Sequence, residues 1–339
     1  MRRWLNVASA LLRIEQAGPL TTIQDLGRPG WARYGVPRSG PVDGLSFAAA
    51  NAALGNTPDR AAVEFSLGGL IISCLEGAIG FALTGAGTVA AGEGYLGGSW
   101  LAGDLCAGDR LAIRTGPDGN WGYLALCGVL PAARWLGSQA THAPSGLGGG
   151  RLQAGRELRV DDARVLGEPR RLGRFDAAAG LDVVRVVPGP QDRFFEPAIR
   201  ERLFTETFAL TAAMDRMGAV LAGPKLPPTR LDMLSEPATR GCLQVDGTGR
   251  VTLLLSDHQT TGGYPKIGAV LLSDVDRLAQ LSPGRAFRFS PITPGVAVLA
   301  HRQMHERRME YLQALGRAET LQDRLWTANL IGGVASATD

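Results

Sequence analysis

Short apolar runs alternate along the chain with turns that are rich in glycine and proline. In three places a leucine is followed three residues later by a glycine and then by alternating apolar residues: Leu105–Ile113, Leu152–Val160 and Leu281–Phe289. A glycine can end a turn, and a period of two is typical of a half-buried strand. The pattern therefore predicts a turn-strand unit that is used in more than one β-structure. Other runs that predict strands are Leu11–Glu15, Gly69–Leu75, Gly80–Thr84, Tyr123–Cys127, Val183–Val187 and Val251–Leu255.

The sequence predicts fewer helices than strands: Gly44–Leu54, Arg193–Phe204, Asp274–Leu281 and Val298–Leu315. Asp43 is a candidate N-cap for the first helix, and Gly55 follows its end, where a left-handed residue commonly terminates a helix. Ser273, with Asp276 three residues later, resembles a capping box for the third helix. Gly316 is placed to end the fourth. The predicted fold class is therefore mainly β, with helices as covers and a helical C-terminus.

Length and composition allow two domains or one large β-rich unit, because 339 residues with 45% hydrophobic content can bury a sizeable core. The stretch Glu168–Ala179 is charged and rich in glycine and alanine, and a new strand follows it. We therefore expect a boundary there, with an N-terminal half over residues 1–175 and a C-terminal half over residues 176–318. Residues 319–339 are expected to form a loosely held tail.

Charge and composition exclude several classes of protein. The formal net charge is +3, and the basic residues are scattered singly rather than along a stripe that nucleic acid would need. No apolar run approaches the ~20 residues of a membrane-spanning helix, and Asn6, Arg13 and Glu15 interrupt the apolar N-terminus. The four cysteines form no CxxC pair and lie in apolar runs, which indicates reduced thiols. We therefore expect a cytoplasmic protein without nucleic-acid or membrane partners.

The segment Leu20–Asn56 places polar and charged side chains between many glycines and prolines. Glycine permits unusual backbone shapes and proline fixes φ, so this composition predicts a rigid loop ahead of the first helix. Loops that a scaffold holds in place commonly carry binding and catalytic residues. Asp43 is favoured as the helix cap. The candidate functional residues of the segment are Gln24, Asp25, Arg28, Arg33, Arg38 and Ser39.

A second polar cluster, Asp257–Ile267, begins where an apolar strand ends. The pair Gly262–Gly263 lets the backbone approach a ligand closely. Asp215 and Arg216 form a third group, and because they are adjacent they would point in different directions in a helix or a strand. Tyr264 is open to two roles, ligand contact or packing against the glycines. The candidates of the second cluster are Gln259, Thr260, Thr261, Tyr264 and Lys266.

The sequence gives little support for other site classes, and GEGYLG at Gly92–Gly97 fits GxGxxG but is interpreted as a turn because no helix start follows. His301 and His305 have metal-ligand spacing on a helix, but no HExxH pattern and no third ligand accompany them, so we expect no metal site. There is no GxxxxGK[ST] phosphate loop, and Ser39 lacks the context of a nucleophile elbow.

Taken together, these segments resemble the KipA / allophanate hydrolase subunit 2 family, which includes the 5-oxoprolinase C subunit and carboxyltransferase-like relatives. The resemblance covers about Leu12 to Ile292. It implies a fold of two cyclophilin-like β-barrel halves. The stretches that carry it are TTIQDLGRPGWARYGVPRSGPVDGLSFAAANAALGN, LGSQAT at Leu136–Thr141, VVPGPQD, DRMG with a later Gly-Pro, and QTTGGYPKI.

The resemblance implies a subunit of an ATP-dependent 5-oxoprolinase, which opens 5-oxoproline to glutamate with companion subunits. The companions would be a KipI-like chain (the B subunit) and a LamB/YcsF-type chain (the A subunit), with ATP and Mg²⁺ bound at the level of the complex. Two alternatives stay open: a biotin-dependent carboxyltransferase component acting on urea or a similar amide, and a non-catalytic KipA-type regulator that binds a KipI-like partner. The sequence has no Met-Lys-Met biotinylation site, so any biotin would be carried by another chain.

Residue types then suggest roles within the leading hypothesis. Arginine and lysine would stabilise negative charge, and glutamine would hold both faces of an amide. This requires loops of the two halves to converge on one cleft. Catalytic roles are assigned to Gln24, Asp25, Arg28 and Lys266. Substrate contacts are assigned to Arg33, Arg38, Ser39, Asp215, Arg216, Gln259, Thr260, Thr261 and Tyr264.

Overall fold

The structure, a computed structural model, describes residues 5–6, 9–86, 88–91, 96–114, 116, 119–175 and 181–317. The strands of the N-terminal half are β1 (Leu5–Asn6), β2 (Ser9–Ala17), β3 (Thr22–Gln24), β4 (Ala62–Ser66), β5 (Leu70–Glu76), β6 (Ala78–Gly85), β7 (Thr88–Ala91), β8 (Leu96–Gly98), β9 (Leu101–Cys106), β10 (Arg110–Arg114), β11 (Trp121–Leu126), β12 (Glu157–Asp161), β13 (Arg164–Val165) and β14 (Arg170–Arg171). Those of the C-terminal half are β15 (Val183–Pro188), β16 (Phe208–Met214), β17 (Gly218–Ala222), β18 (Glu236–Pro237), β19 (Cys242–Val245), β20 (Val251–Leu254), β21 (Thr261–Gly262), β22 (Lys266–Val270) and β23 (Ala286–Pro291). The helices are α1 (Gly44–Leu54), α2 (Pro197–Thr205), α3 (Leu272–Ala279) and α4 (Pro294–Gly316).

Two six-stranded sheets that share a core build the N-terminal half. Their strand orders are β12-β2-β5-β10-β7-β8 and β14-β9-β6-β11-β4-β3. Burial alternates along β5 and through the first part of β2, so each of these strands presents one face to the core. Leu12, Ile14 and Ile72 of the first sheet and Phe65 and Phe81 of the second belong to one hydrophobic cluster.

The C-terminal half closes into a seven-stranded barrel of order β15-β22-β19-β20-β17-β16-β23. Strands β15 and β23 pair in parallel, and closure removes the unpaired sheet edges. Inside the barrel the ring centroids of Phe208 and Phe287 lie 5.0 and 5.3 Å from that of Phe289. The predicted fold class is confirmed, because the chain is mainly β, contains a closed barrel and carries a long helix after it.

The repeated turn-strand unit is also confirmed. Gly108, Gly155 and Gly284 have left-handed φ values of 95°, 86° and 85°, which other residues adopt only with strain. The strands β10, β12 and β23 follow these turns. The unit therefore occurs in both halves of the molecule.

Helix α1 has the predicted bounds, Gly44–Leu54. The Asp43 carboxylate accepts hydrogen bonds from the backbone amides of Leu45 and Ser46, both at 3.1 Å, and so caps the helix. Gly55 ends it with a left-handed φ of 67°. Both local signals around this helix are confirmed.

The starts of the other helices differ from prediction. Helix α2 begins at Pro197, later than predicted, because proline lacks an N–H and suits the first helical turn; α4 begins early for the same reason. The capping box at Ser273 is wrong, because α3 already begins at Leu272 without a side-chain cap. Asp274 lies in its first turn and pairs with Arg185 at 2.6 Å, a partner that lies far away in the sequence.

The two halves pack against each other through polar side chains and a common hydrophobic cluster. Gln280 donates to the Trp121 carbonyl and to Asp43 Oδ2, both at 2.8 Å, and its Oε1 accepts from the amides of Asn120 and Trp121 at 2.9 and 3.0 Å. The Asn120 side chain donates to the carbonyls on either side of Gln280, at 2.9 and 2.7 Å. The loop before α1 is thereby fixed to the C-terminal half.

The strands divide between the two six-stranded sheets and the barrel according to their position in the chain. Both six-stranded sheets use strands that precede residue 175, and the barrel uses strands that follow residue 181. The boundary itself stays a prediction, since residues 176–180 lie outside the described residues, as does the predicted tail 319–339. Within the described part, no helix combines the length and apolar character of a membrane span.

We expect Asp43→Ala to lower the free energy of unfolding by about 1–2 kcal/mol, because it removes the cap of α1 and the contact with Gln280. Denaturant titration measures this loss. Asp43→Asn keeps an acceptor oxygen and should lose less, and Asp59→Ala, at an exposed carboxylate, is the control. Equal stability of Asp43→Ala and the wild type would contradict the role of the cap.

Candidate functional site

A buried arginine connects residues of the N-terminal half to residues of the C-terminal half. Arg216 is 1% exposed. Its Nε and Nη2 donate to the two carboxylate oxygens of Asp257 at 2.9 and 3.2 Å, and Nη2 also donates to the Gly40 carbonyl at 2.6 Å. Its Nη1 donates to Glu64. Four of its five N–H groups are therefore used within the protein.

Burial and charge pairing compete within this ion cluster. Burial raises the pKa of Glu64 above its ordinary value, and Arg216 offsets part of that effect. Burial also acts upward on the pKa of Asp257, but the Arg216 charge and the hydrogen bonds outweigh it and hold that pKa low. For Arg216, burial acts to lower the pKa and the two carboxylates raise it above the usual range. The observed contacts of Arg216 are thus structural, and its role in binding substrate stays a prediction.

The Asp25 carboxylate holds two loops together. Its Oδ1 accepts from the Gly27 amide at 2.8 Å, the Ser138 hydroxyl at 2.5 Å and the Ala140 amide at 3.2 Å. Its Oδ2 accepts from the Gln139 amide at 2.6 Å. A general base needs a lone pair directed at its substrate. Because both oxygens are engaged, these contacts favour a structural function for Asp25.

Two further candidates are buried beside it. Arg28 donates from Nε to the Trp135 carbonyl at 3.3 Å and from Nη2 to the Ala140 carbonyl, and its guanidinium lies 4.7 Å from the Trp135 ring centroid. Burial lowers the pKa of Arg28. Gln24 donates to the Thr141 carbonyl at 3.0 Å. Arg28 Nη1 and Gln24 Oε1 each lack a hydrogen-bond partner within the described part of the protein.

The remaining candidates of the first loop divide by exposure. Arg33 is exposed and lies over the Tyr34 ring at 4.8 Å, and exposed Arg38 donates to the Leu26 carbonyl at 3.2 Å. Ser39 is buried, with an unusual positive φ of 56°. The loop therefore turns some predicted residues into the interior and others towards solvent.

A cavity of about 560 Å³ opens on the outer face of the barrel. The strand alternation locates it, since Val251 and Leu253 point into the barrel core while Thr252 and Leu254 line the cavity. Gln244, on the neighbouring strand β19, also lines it. The cavity is therefore built from outward-facing positions of the sheet.

Three residues predicted from the sequence line this cavity: Asp215, Gln259 and Tyr264. Asp215 is exposed at the turn between β16 and β17, where Oδ1 accepts from the Met217 amide at 2.7 Å. Thr260 and Thr261 hold the adjoining loop: the Thr260 carbonyl accepts a backbone bond at 2.9 Å, and Thr261 lies in β21.

Lys266 lies beside the cavity-lining Gln244, its partner in the β19–β22 ladder. The lysine is 1% exposed, and its Nζ has no hydrogen-bond partner among the residues that the structure describes. Gln191 accepts from the Lys266 amide through Oε1 at 2.8 Å, and its buried Nε2 is likewise unpaired. Gln259 donates to Gln244 Oε1 at 2.9 Å. We call Lys266, Gln191, Gln244 and Gln259 the amide–lysine cluster.

The environment of Lys266 is unusual for a lysine. Burial lowers its pKa, and the nearby Cys242 and Glu236 offset part of that effect. The chain contains only two lysines among its 35 lysine and arginine residues. A buried lysine at this position is therefore not explained by a lysine-rich composition. Buried donors without acceptors are rare in folded proteins, and perturbed groups of this kind concentrate at functional sites. The amide–lysine cluster is the best candidate for a ligand site.

The structure thus places the predicted residues in two clusters. Arg28 lies with Asp25 and Gln24, whereas Lys266 pairs along the strands with Gln244, which binds Gln259 and lines the cavity. Asp215 and Gln259 line the cavity, whereas their near neighbours Arg216 and Asp257 belong to the buried ion cluster. A single cleft that contains both Arg28 and Lys266 stays a prediction. No group of three or more side chains suited to a metal ion occurs within the described residues.

Sequence reasoning missed several residues of these clusters. Glu64 had a signal, because a carboxylate within the apolar strand β4 implies a buried partner. Gln244 was also recognisable, because it is a polar residue between the core residues Leu243 and Val245 of β19. Gln191 lies in the VPGPQD turn, but its hydrogen bond to Lys266 depends on strands β15 and β22 coming together.

We expect Asp25→Asn to lower the melting temperature, because an amide oxygen can replace only part of the four hydrogen bonds that the Asp25 carboxylate accepts. The free energy of unfolding should fall by about 1–3 kcal/mol, the cost of leaving buried donors without an acceptor. Differential scanning calorimetry measures it, with Asp232→Asn as an exposed control. A stable Asp25→Asn protein that has lost its activity would instead support a general base.

The chain matches the carboxyltransferase domain, subdomains A and B, over residues 34–291. It is 32% identical to the 5-oxoprolinase C subunit of Escherichia coli (strain K12) over 308 residues, which cover 89% of this chain and 97% of that one. It is also 32% identical to the 5-oxoprolinase C subunit of Haemophilus influenzae, with 80% and 88% covered.

Solved structures agree with this match. The crystal structure of TTHA0988 superposes with a TM-score of 0.74 at 31% identity, covering 83% of this chain and 56% of that one, so the chain spans about half of that protein. The urea amidolyase of K. lactis superposes with a TM-score of 0.79 at 23% identity, covering 94% of this chain and 20% of that one, which shows a shared fold. The chain therefore belongs to the carboxyltransferase-domain family of subdomains A and B.

Proposed function

We propose that this chain is the C subunit of an ATP-dependent 5-oxoprolinase and that the lactam of 5-oxoproline binds at the amide–lysine cluster. The observation that supports this proposal best is the similarity to two bacterial C subunits over 80–89% of this chain and 88–97% of theirs. Because a fold alone does not imply a function, a match of this extent carries more weight than the shared domain.

The cluster offers the groups that an amide ligand needs. Lys266 Nζ and Gln191 Nε2 are buried donors without acceptors, and a ligand carbonyl oxygen would supply an acceptor. Gln244 and Gln259 present both donors and acceptors, which match the N–H and C=O of a lactam. The adjoining cavity of about 560 Å³ gives room for a small molecule.

When water attacks the lactam carbonyl carbon, negative charge develops on the carbonyl oxygen until the C–N bond breaks and the ring opens. The Lys266 ammonium group would stabilise that charge, and its burial would strengthen the interaction. Since burial lowers the pKa of Lys266, Nζ can also release its proton to the departing ring nitrogen. ATP, bound at the level of the complex, would supply the free energy for ring opening.

Reconstitution tests the proposal. The full chain is mixed with a KipI-like chain and a LamB/YcsF-type chain of the same organism, ATP, Mg²⁺ and 5-oxoproline. Glutamate and ADP are expected in equal amounts, and omission of any single component should remove both. If all wild-type components together form neither product, the proposal is wrong.

A carboxyltransferase is the second candidate, and the family match favours it. In that case the cluster would hold urea or a similar amide, and another chain would carry biotin. Product formation from 5-oxoproline without biotin or bicarbonate separates the first candidate from the second. Tight binding of the KipI-like chain without turnover of either amide would instead favour a regulator.

A further inference from the structure

Two large aromatic side chains stand at the surface of the first loop. Trp31 is 37% exposed and Tyr34 is 63% exposed, and their ring centroids lie 5.8 Å apart at an angle of 47°. Leu26, at the base of the same loop, is 39% exposed. Rings of this size gain free energy when they leave water, so an exposed group of them indicates a contact surface.

The loop is held in one conformation. The Tyr34 amide donates to the Trp31 carbonyl at 2.9 Å and closes a turn at the tip. At the base, the Arg28 amide donates to the Arg38 carbonyl at 2.8 Å, and Arg38 Nε donates to the Leu26 carbonyl at 3.2 Å. A partner that binds a surface already ordered in this way loses little conformational entropy.

The charge of the loop has one sign. From Leu26 to Gly40 the sequence contains three arginines and no aspartate or glutamate. Arg33 and Arg38 are exposed. We call Leu26, Trp31, Arg33, Tyr34 and Arg38 the aromatic–arginine loop. Tryptophan, tyrosine and arginine are the residue types that dominate binding energy in protein interfaces.

The ring geometry argues against a nucleotide between the two rings. A base stacked between two aromatic rings needs about 7 Å between parallel planes, that is, two contacts of ~3.5 Å. The rings of Trp31 and Tyr34 are closer than this and inclined. The two rings instead form one exposed group on the loop.

We infer that the aromatic–arginine loop is the docking surface for an acidic companion chain. A recess of that chain takes Trp31 and Tyr34, and its carboxylates pair with Arg33 and Arg38. The inference rests on the proposed function, which supplies the companion chains. The loop continues into Gly40, whose carbonyl accepts a hydrogen bond from Arg216, so the loop backbone joins the docking surface to the buried ion cluster.

Binding measurements with the full chain test this inference. The probes are the purified KipI-like chain and the LamB/YcsF-type chain, each measured by biolayer interferometry at low and high ionic strength. For one of them, Trp31→Ala and Tyr34→Ala are each expected to raise Kd by about 30-fold, the size of an interface hot spot. Arg33→Glu is expected to weaken binding most at low salt, where charge attraction is least screened.

The matched controls lie on helix α4, where Leu299→Ala and Arg302→Glu change an exposed apolar side chain and an exposed arginine. They should bind as the wild type does. With saturating companion chain, Trp31→Ala should regain the wild-type kcat, because the loss concerns assembly. Unchanged melting temperatures exclude misfolding.

Three results would overturn the inference. The first is that neither companion binds the wild-type chain. The second is equal affinity of the loop variants and the controls. The third is ATP binding by the isolated chain, measured by calorimetry, that Trp31→Ala abolishes. Binding that depends on the loop, in an assembly without 5-oxoproline turnover, would support the docking surface while contradicting the proposed function.

Discussion

Lys266→Met is expected to lower the kcat of the assembled enzyme by about 10²–10³-fold, the effect of removing one donor from a developing oxyanion. The reason is that Lys266 is the buried cation of the amide–lysine cluster and its Nζ lacks a partner inside the described protein. Steady-state assays of glutamate formation measure the loss. The control is Lys225→Met, because Lys225 is the other lysine of the chain and is exposed.

The same substitution should not weaken folding, since methionine retains most of the side-chain volume and removes an unpaired amine. The pH dependence of the free energy of unfolding, measured for the wild type and the variant, checks this expectation. Burial lowers the pKa of Lys266 in the folded state below the ordinary value of 10.5. Between the folded-state pKa and 10.5, the unfolded chain binds more protons than the folded protein does. The wild type therefore gains stability as pH rises through this window. Lys266→Met should lack that gain, and loss of activity through unfolding would contradict the assigned role.

Arg216→Met is expected to lower the free energy of unfolding by about 3–5 kcal/mol, because it leaves two buried carboxylates without their shared cation. Glu64 and Asp257 are both fully buried partners of this arginine. Denaturant titration measures the effect. Asp215→Asn, a change at the exposed neighbouring residue, should alter stability by less than about 0.5 kcal/mol.

Measuring the free energy of unfolding at acid pH distinguishes the loss of a buried cation from a simple packing defect. Asp257 has a lowered pKa in the wild type, so its contribution is present above the ordinary value of 3.8 and is lost as pH falls through the folded pKa. In Arg216→Met the buried carboxylates are stabilised when they gain protons. The difference between variant and wild type should therefore narrow as pH falls, whereas a packing defect would leave it constant.

Local elements were predictable from the sequence because their signals lie within a few residues. Asp43 and Gly55 bound α1 by short-range hydrogen bonds, and the glycines of the turn-strand unit adopt the left-handed φ that the turns require. The prediction of a capping box at α3 was wrong because the deciding contact is not local. Asp274 binds Arg185, a partner distant in sequence, and a local capping pattern carries no information about it.

The candidate residues were recognisable by type, but their environment was not. Asp25 and Arg28 have the residue types of a catalytic loop, yet most of their polar atoms bind the segment around Ala140. Arg33 belongs to the same loop and faces solvent. Exposure and hydrogen-bond partners depend on which distant segment covers each side chain, and the sequence does not state this.

By itself, the sequence determined that the chain is mainly β, that a rigid glycine- and proline-rich loop precedes α1, and which family it resembles, because periodicity, turn chemistry and motif order are local properties. The tertiary structure alone decided that Arg216 serves a buried ion cluster, that Lys266 stands among amides beside a cavity, and that Trp31 and Tyr34 stay exposed. Burial, register and barrel closure set these outcomes, since they bring together residues far apart in the chain and determine which polar atoms lack a partner.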